Sequence, residues 1–189
     1  DEDKHVYTRL DNDCMLNGLH SALQRYHSAE GVSEEDRSLA ARALKEYGNL
    51  RMDTDVMRCK LYAILLPAYT ILGMEEEAAK LLEGLQFDAV ADFIAFRKEQ
   101  LERDYRLFGG RTRQFIYISS ASAYQKPATD YLITESTPLC NPYWQYSRDK
   151  TEGEDYLMKL YREEGFPITI VRPSHTFDER SVPLGVHGA

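Results

Sequence analysis

Tyr146 and Lys150 stand four residues apart in the run Tyr146-Ser147-Arg148-Asp149-Lys150. On a helix that spacing puts a phenol and an ammonium on one face, one turn apart. The positive charge favours the phenolate and lowers the tyrosine pKa, which is what proton transfer by a tyrosine near neutral pH requires. Taken alone the pair carries little weight. Lysine is among the commonest residues, and the chain has 13 tyrosines, so one such spacing is unremarkable. The elements around the pair carry more.

Upstream, Gln114-Phe115-Ile116-Tyr117-Ile118 is an apolar, β-branched and aromatic run that predicts a buried strand. Ser119-Ser120-Ala121-Ser122 places small hydroxyl residues where that strand should end, and a polar loop broken by Pro127, Pro138 and Pro142 follows. A helix then opens at Tyr146. Phe166-Pro167-Ile168-Thr169-Ile170-Val171 predicts a further strand, ending in Arg172-Pro173. Before these, Phe87 to Ala95 reads as a strand with small Ala95 at its end. Arg97 to Leu107 reads as a charged helix stopped by Phe108-Gly109-Gly110. Asp92 is the odd residue in its apolar run: a site group, or more readily a strand-end side chain bonded to backbone. The order is β-helix-β-helix-β, with crossovers long enough for parallel strands. Ligands of open α/β sheets sit outside the carboxyl ends of the strands, where Ser120 falls.

The whole constellation is Ser119-Ser120, Tyr124, Thr134-Glu135, Pro138, Pro142-Tyr143, Tyr146-x-x-x-Lys150 and Arg172-Pro173. It resembles the extended short-chain dehydrogenase/reductases, the NAD-dependent epimerase/dehydratase family, over residues 87–189. The resemblance implies that Tyr146 is the catalytic acid/base and that Lys150 lowers its pKa and holds the nicotinamide ribose. It implies that Ser120 hydrogen-bonds the same substrate oxygen, and a one-residue slip would give that role to Ser119. Ala95, Ser119, Tyr146, Lys150, Pro173 and Ser174 fall on the cofactor side, and Ser120 and His175 on the substrate side. The implied cofactor is NAD or NADP, and the implied chemistry is epimerase/dehydratase-type redox or isomerisation at a hydroxyl or keto carbon. A nucleotide sugar is the substrate class it suggests. A homodimer through the helix starting near Tyr146 is the partner arrangement it allows.

The chain departs from that family at its nucleotide-binding start, where the acidic residue that would bind the adenine ribose also has no counterpart. The Gly-x-x-Gly-x-x-Gly that would bring backbone to a pyrophosphate at a helix N-terminus does not occur, and Gly18, Gly31, Gly48, Gly73 and Gly84 are isolated. The expected fold is therefore a partial Rossmann-like parallel sheet of about three strands with helices, in residues 86–189. An all-helical region, residues 1–85, precedes it. There, Asn12 to Ala29 is helical by spacing, and Ser33-Glu34-Glu35-Asp36 starts a second helix as a capping box. Asp53-Thr54-Asp55 starts a third that Pro67 should kink, and Glu75 to Leu85 makes a fourth. The run Ala68 to Ala79 looks like one tetratricopeptide hairpin, although such repeats stack stably only in threes or more.

Composition narrows the functional classes. A net charge of −8 argues against a nucleic-acid surface. No apolar run is long enough to span a membrane, and the opening Asp-Glu-Asp-Lys is not a signal peptide. The three cysteines, Cys14, Cys59 and Cys140, are scattered, which fits a reduced, cytoplasmic protein without a cysteine metal site. His20 and His27, seven apart, lack metal-ligand spacing. Beginning without Met, the chain reads as a fragment, a fusion or a degenerate relative. Two further readings stand beside the enzyme: a non-catalytic helical interaction module joined to a relict Rossmann half, and a tetratricopeptide-like peptide binder.

Overall fold

The computed structural model describes residues 13–26 and 31–174. It divides into two compact units, Asp1–Gly84 and Leu85–Ala189. Among the described residues there are six α-helices and one three-stranded sheet.

The first unit is helical: α1 (Asp13–Tyr26), α2 (Glu34–Tyr47), α3 (Asp55–Ile71) and α4 (Glu75–Leu81). Its core is the apolar stripe of each helix: Met15, Leu19 and Leu23 on α1, Ala40, Ala43 and Tyr47 on α2, and Leu61, Ile64 and Leu65 on α3. Helix α3 continues through the buried Pro67 to Ile71. Helix α4 stops at Leu81, four residues short of the expected end, because the chain turns at Leu82 and Gly84 takes a left-handed φ of 73°. The capping box forms as expected, with Asp36 N–H on Ser33 Oγ and Ser33 N–H on Asp36 Oδ2, both at 3.1 Å.

Asp36 does a second job. Arg25 on α1 donates Nε to its Oδ2 at 3.0 Å and Nη2 to its Oδ1 at 2.5 Å. This bidentate bond, followed by the Ser33 bonds, holds the buried carboxyl well below the usual carboxylate range. A lowered folded value means stability that is present above the ordinary carboxylate pKa and lost as pH falls through the folded one. Asp36→Asn should therefore cost about 1–2 kcal/mol near neutrality. The gap to wild type should close on acidification, as followed by thermal unfolding in far-UV circular dichroism. A constant gap down to strong acid would contradict this account.

The second unit is β1 (Val90–Asp92), α5 (Lys98–Phe108), β2 (Phe115–Ile118), α6 (Gln145–Glu164) and β3 (Ile168–Val171). A 3-10 turn, Ala121–Ala123, follows β2. The sheet is parallel in the order β1-β2-β3, with Val90 paired to Phe115 and Phe115 to Ile168. Right-handed crossovers between sequential neighbours put both connecting helices on one face of the sheet. The core agrees: Phe115 and Tyr117 point to that face and meet Leu101 of α5 and Leu157 and Leu160 of α6, with Phe166 closing the end. Gly153 lets α6 approach, since a Cβ there would lie 2.8 Å from Leu101 Cδ1 and 3.0 Å from the Tyr117 hydroxyl. The strands are shorter than the apolar runs that announce them. Phe87 makes only an isolated bridge to Thr112, and Phe166 leaves the ladder for the core.

Candidate active site

Four segments converge at the carboxyl ends of the strands: the loop after β1, the Ser119-Ser120 step after β2, the first turns of α6, and Arg172–Ser174 after β3. Lys150 ties them together. It is 1 % exposed, and its Nζ donates to the carbonyls of Ala95 at 2.6 Å and Ile118 at 2.8 Å. The amine also lies over the rings of Tyr117, Phe96 and Tyr146, at 4.8, 4.9 and 5.7 Å from their centroids. Burial brings its pKa down to about 8, while the charges of Asp92 and Glu154 push it back up. An ammonium has three N–H groups, so two carbonyl bonds leave one.

Tyr146 is half-buried on the first turn of α6, on the face of Lys150, as the four-residue spacing requires. Its ring sits between Trp144, at a centroid distance of 4.9 Å, and Phe96, at 6.1 Å. Next to it Ser147 is fully buried and fixes the loop. Its Oγ donates to Ser122 Oγ at 3.0 Å, and Asn141 Nδ2 bonds the Ser122 carbonyl at 2.8 Å.

The two adjacent serines part company. Ser119 continues the inward parity of Phe115 and Tyr117, is 2 % exposed, and gives its Oγ to Glu154 Oε1 at 2.5 Å. Ser120 faces the other way, half-buried, and caps the 3-10 turn by accepting Ser122 N–H at 3.1 Å. Ala95 is buried and reaches the site through its carbonyl alone, on Lys150. The Pro173 carbonyl accepts Ala121 N–H at 3.0 Å, and Ser174 is exposed. His175 lies outside the described residues, as does His27. His20 is exposed, and no metal-holding group of three His, Cys, Asp or Glu occurs among the described residues.

A buried polar network that motif reading missed lies beneath. Glu154, 1 % exposed, accepts Ser119 Oγ–H and a forked pair of bonds from Arg172, with Nε at 3.0 Å from each oxygen and Nη2 at 2.6 Å from Oε2. Arg172 Nη1 reaches the Tyr124 hydroxyl at 3.1 Å. The signal was the third step of one stripe, Tyr146, Lys150, Glu154, each four residues on.

A parallel β-α-β-α-β unit with a Tyr–Lys pair at the carboxyl ends of its strands is a Rossmann-like arrangement. Residues 101–185 match the model of the NAD dependent epimerase/dehydratase family, a span from α5 past β3 that is just under half the chain. No curated protein and no solved structure matches the chain. The family match supports NAD-dependent, oxidoreductase-type chemistry for that span. Among the described residues no helix is long and apolar enough to cross a membrane.

Proposed function

We propose that the second unit acts with NAD or NADP on a hydroxyl or keto carbon, in the manner of epimerases and dehydratases, on a nucleotide-linked sugar. One observation carries this: a buried amine, fixed by two backbone carbonyls, stands over the ring of a half-buried tyrosine at the carboxyl ends of parallel strands. Tyr146 moves the proton at the substrate oxygen, and Ser120, on the same loop edge, hydrogen-bonds that oxygen. Lys150 favours the phenolate and offers its remaining N–H to a ribose hydroxyl. Pro173 and Ser174 border the nicotinamide side. When bound, the nicotinamide supplies or takes the hydride. Ser119 contributes by setting the Glu154 network, since its hydroxyl is committed there. In this reading the exposed free thiols Cys14, Cys59 and Cys140 belong to a reducing cytoplasm, and α6, with Tyr161 54 % exposed, is the dimer surface.

The test is a titration of the chain with NADH, read by energy transfer from Trp144, whose ring stacks near Tyr146. Saturable binding, weakened at least tenfold in Lys150→Ala, is the expected result. No binding up to millimolar cofactor would sink the proposal and leave the second reading, a helical interaction module joined to a non-catalytic α/β half.

A further inference from the structure

The helical unit holds a cleft that the proposed function does not use. It measures about 520 Å³, inside the range of roughly 300–1,000 Å³ usual for ligand clefts. One wall is a single face of α3, on which Arg58, Leu61, Tyr62, Leu65 and Tyr69 recur at helical spacing. The other wall is α4, with Glu77, Lys80 and Leu81. The segment after α2 borders both, through Leu50, Arg51 and Met52. Leu61 and Leu65 are buried and form the floor. Met52, Tyr62, Tyr69 and Leu81 are half-buried, so apolar surface remains open to a ligand.

The charges along the cleft are uneven. Three cations line it, Arg51, Arg58 and Lys80, against one acid, Glu77, in a chain whose net charge is −8. Arg58 is paired with Asp55, one turn back on α3. Arg51 gives its guanidinium only to the adjacent Leu50 carbonyl, at 3.0 Å, and Lys80 is exposed. Among the described residues neither Arg51 nor Lys80 has a carboxylate partner. The cations are also gathered towards one end. Met74 N–H bonds the Tyr69 carbonyl at 2.9 Å, so α4 starts beside the last turns of α3 and runs back along it. Glu77, on the first turn of α4, therefore lies at the Tyr69 end. Lys80 is a turn nearer to Arg58, and Arg51 stands just before α3 begins.

We propose that this cleft docks a short, extended, acidic segment of a partner protein. Its carboxylates would face Arg51, Arg58 and Lys80, and an aliphatic or aromatic side chain would lie on the face between Leu65 and Tyr69. Arg58 and Tyr69 are 11 residues apart, about 16 Å of helix, which about five residues of extended chain can follow. Apolar contact supplies the buried area, and the unmatched cations select the sign of the partner. A basic or neutral segment would leave Arg51 and Lys80 desolvated without compensation. A nucleic acid fits poorly, because its backbone needs a long basic stripe and the chain is acidic overall. The inference concerns the first unit alone and holds whether or not the second is an enzyme.

The test uses the full chain. A phage-displayed library of random heptapeptides is selected on it, and enriched sequences are made as fluorescent, amidated peptides for anisotropy titration. Enriched sequences should carry two or more Asp or Glu beside an aliphatic or aromatic residue, and their binding should weaken as salt is raised. Affinity should fall at least tenfold in the double variant Arg51→Glu, Lys80→Glu. The same charge change on α6, Lys159→Glu with Arg162→Glu, both exposed, should leave affinity within twofold. Should the reversal unfold the first unit by circular dichroism, Arg51→Gln with Lys80→Gln must still weaken binding. The proposal is overturned if no sequence is enriched, if enriched sequences lack acidic residues, or if the α6 pair weakens binding as much as the cleft pair.

Discussion

Glu154→Ala should destabilise the second unit by about 3–5 kcal/mol, the range for removing one partner of a buried ion pair. The substitution strips the Arg172 guanidinium of its forked partner and leaves the buried Ser119 hydroxyl without its acceptor. The Arg172 side chain is only 20 % exposed, so water replaces little of what is lost. The effect is set by burial and not by charge pairing as such. Lys98 and Glu102, an i,i+4 pair with side chains 37 and 39 % exposed, should be worth only about 0.3–0.5 kcal/mol. Replacing both Glu154 and Arg172 by methionine should be far milder than Glu154→Ala, because no buried charge is then left alone. Trp144, the chain's one tryptophan, lies in the second unit, so its fluorescence during denaturant unfolding reports that unit. A loss below about 1 kcal/mol for Glu154→Ala, the range of an exposed pair, would show that Arg172 finds another partner.

Tyr146→Phe should lower turnover by about 10²–10⁴-fold, the usual share of a positioned acid/base, while NADH binding changes little. The ring contacts with Trp144 and Phe96 are kept, and only the titrating oxygen is removed. If turnover of a substrate found by screening nucleotide sugars survived intact, the assignment of Tyr146 would be wrong. A pH experiment tests the same site from the lysine's side. Lys150 titrates at about 8 in the folded chain, against 10.5 for a free lysine. Activity that needs its ammonium should fall above about 8. Stability should do the opposite. Between the folded and unfolded values the unfolded chain binds more protons, so the cost of burying this charge fades as pH rises. Parallel profiles of rate and unfolding midpoint should therefore diverge across that window in wild type, and the divergence should disappear in Lys150→Met.

Much of this arrangement was legible in the sequence because it is local. The Ser33–Asp36 capping box, the α6 face shared by Tyr146 and Lys150, and the β-α-β-α-β order all follow from short-range periodicity and chain reversal. The Ser119/Ser120 ambiguity was also decidable by period-two parity: Phe115 and Tyr117 point inward, so Ser119 does as well, leaving Ser120 for the loop edge. The rest is tertiary. Apolar runs overstate strand length, because Phe87 and Phe166 are apolar for the sake of helix packing and not of a ladder. Pro67 reads as a break in the helical pattern, yet α3 continues to Ile71 with Pro67 buried. The Ser119–Glu154–Arg172 network joins a strand end, a helix and the segment after the next strand, which no spacing rule reports.

The anchoring of Lys150 also makes it an internal clock. An amine titrating at about 8 would be among the most readily acylated lysines of the chain if reagent could reach it. Its nitrogen, however, is enclosed by two carbonyls and three rings, and the residue is 1 % exposed. Acylation needs the nitrogen freed from its carbonyls, a larger loosening of the strand ends and α6 than one hydrogen bond to a ribose hydroxyl would require, so its rate measures the frequency of that local opening. Mass spectrometry of the labelled chain would follow it peptide by peptide, beside freely reacting surface lysines such as Lys159.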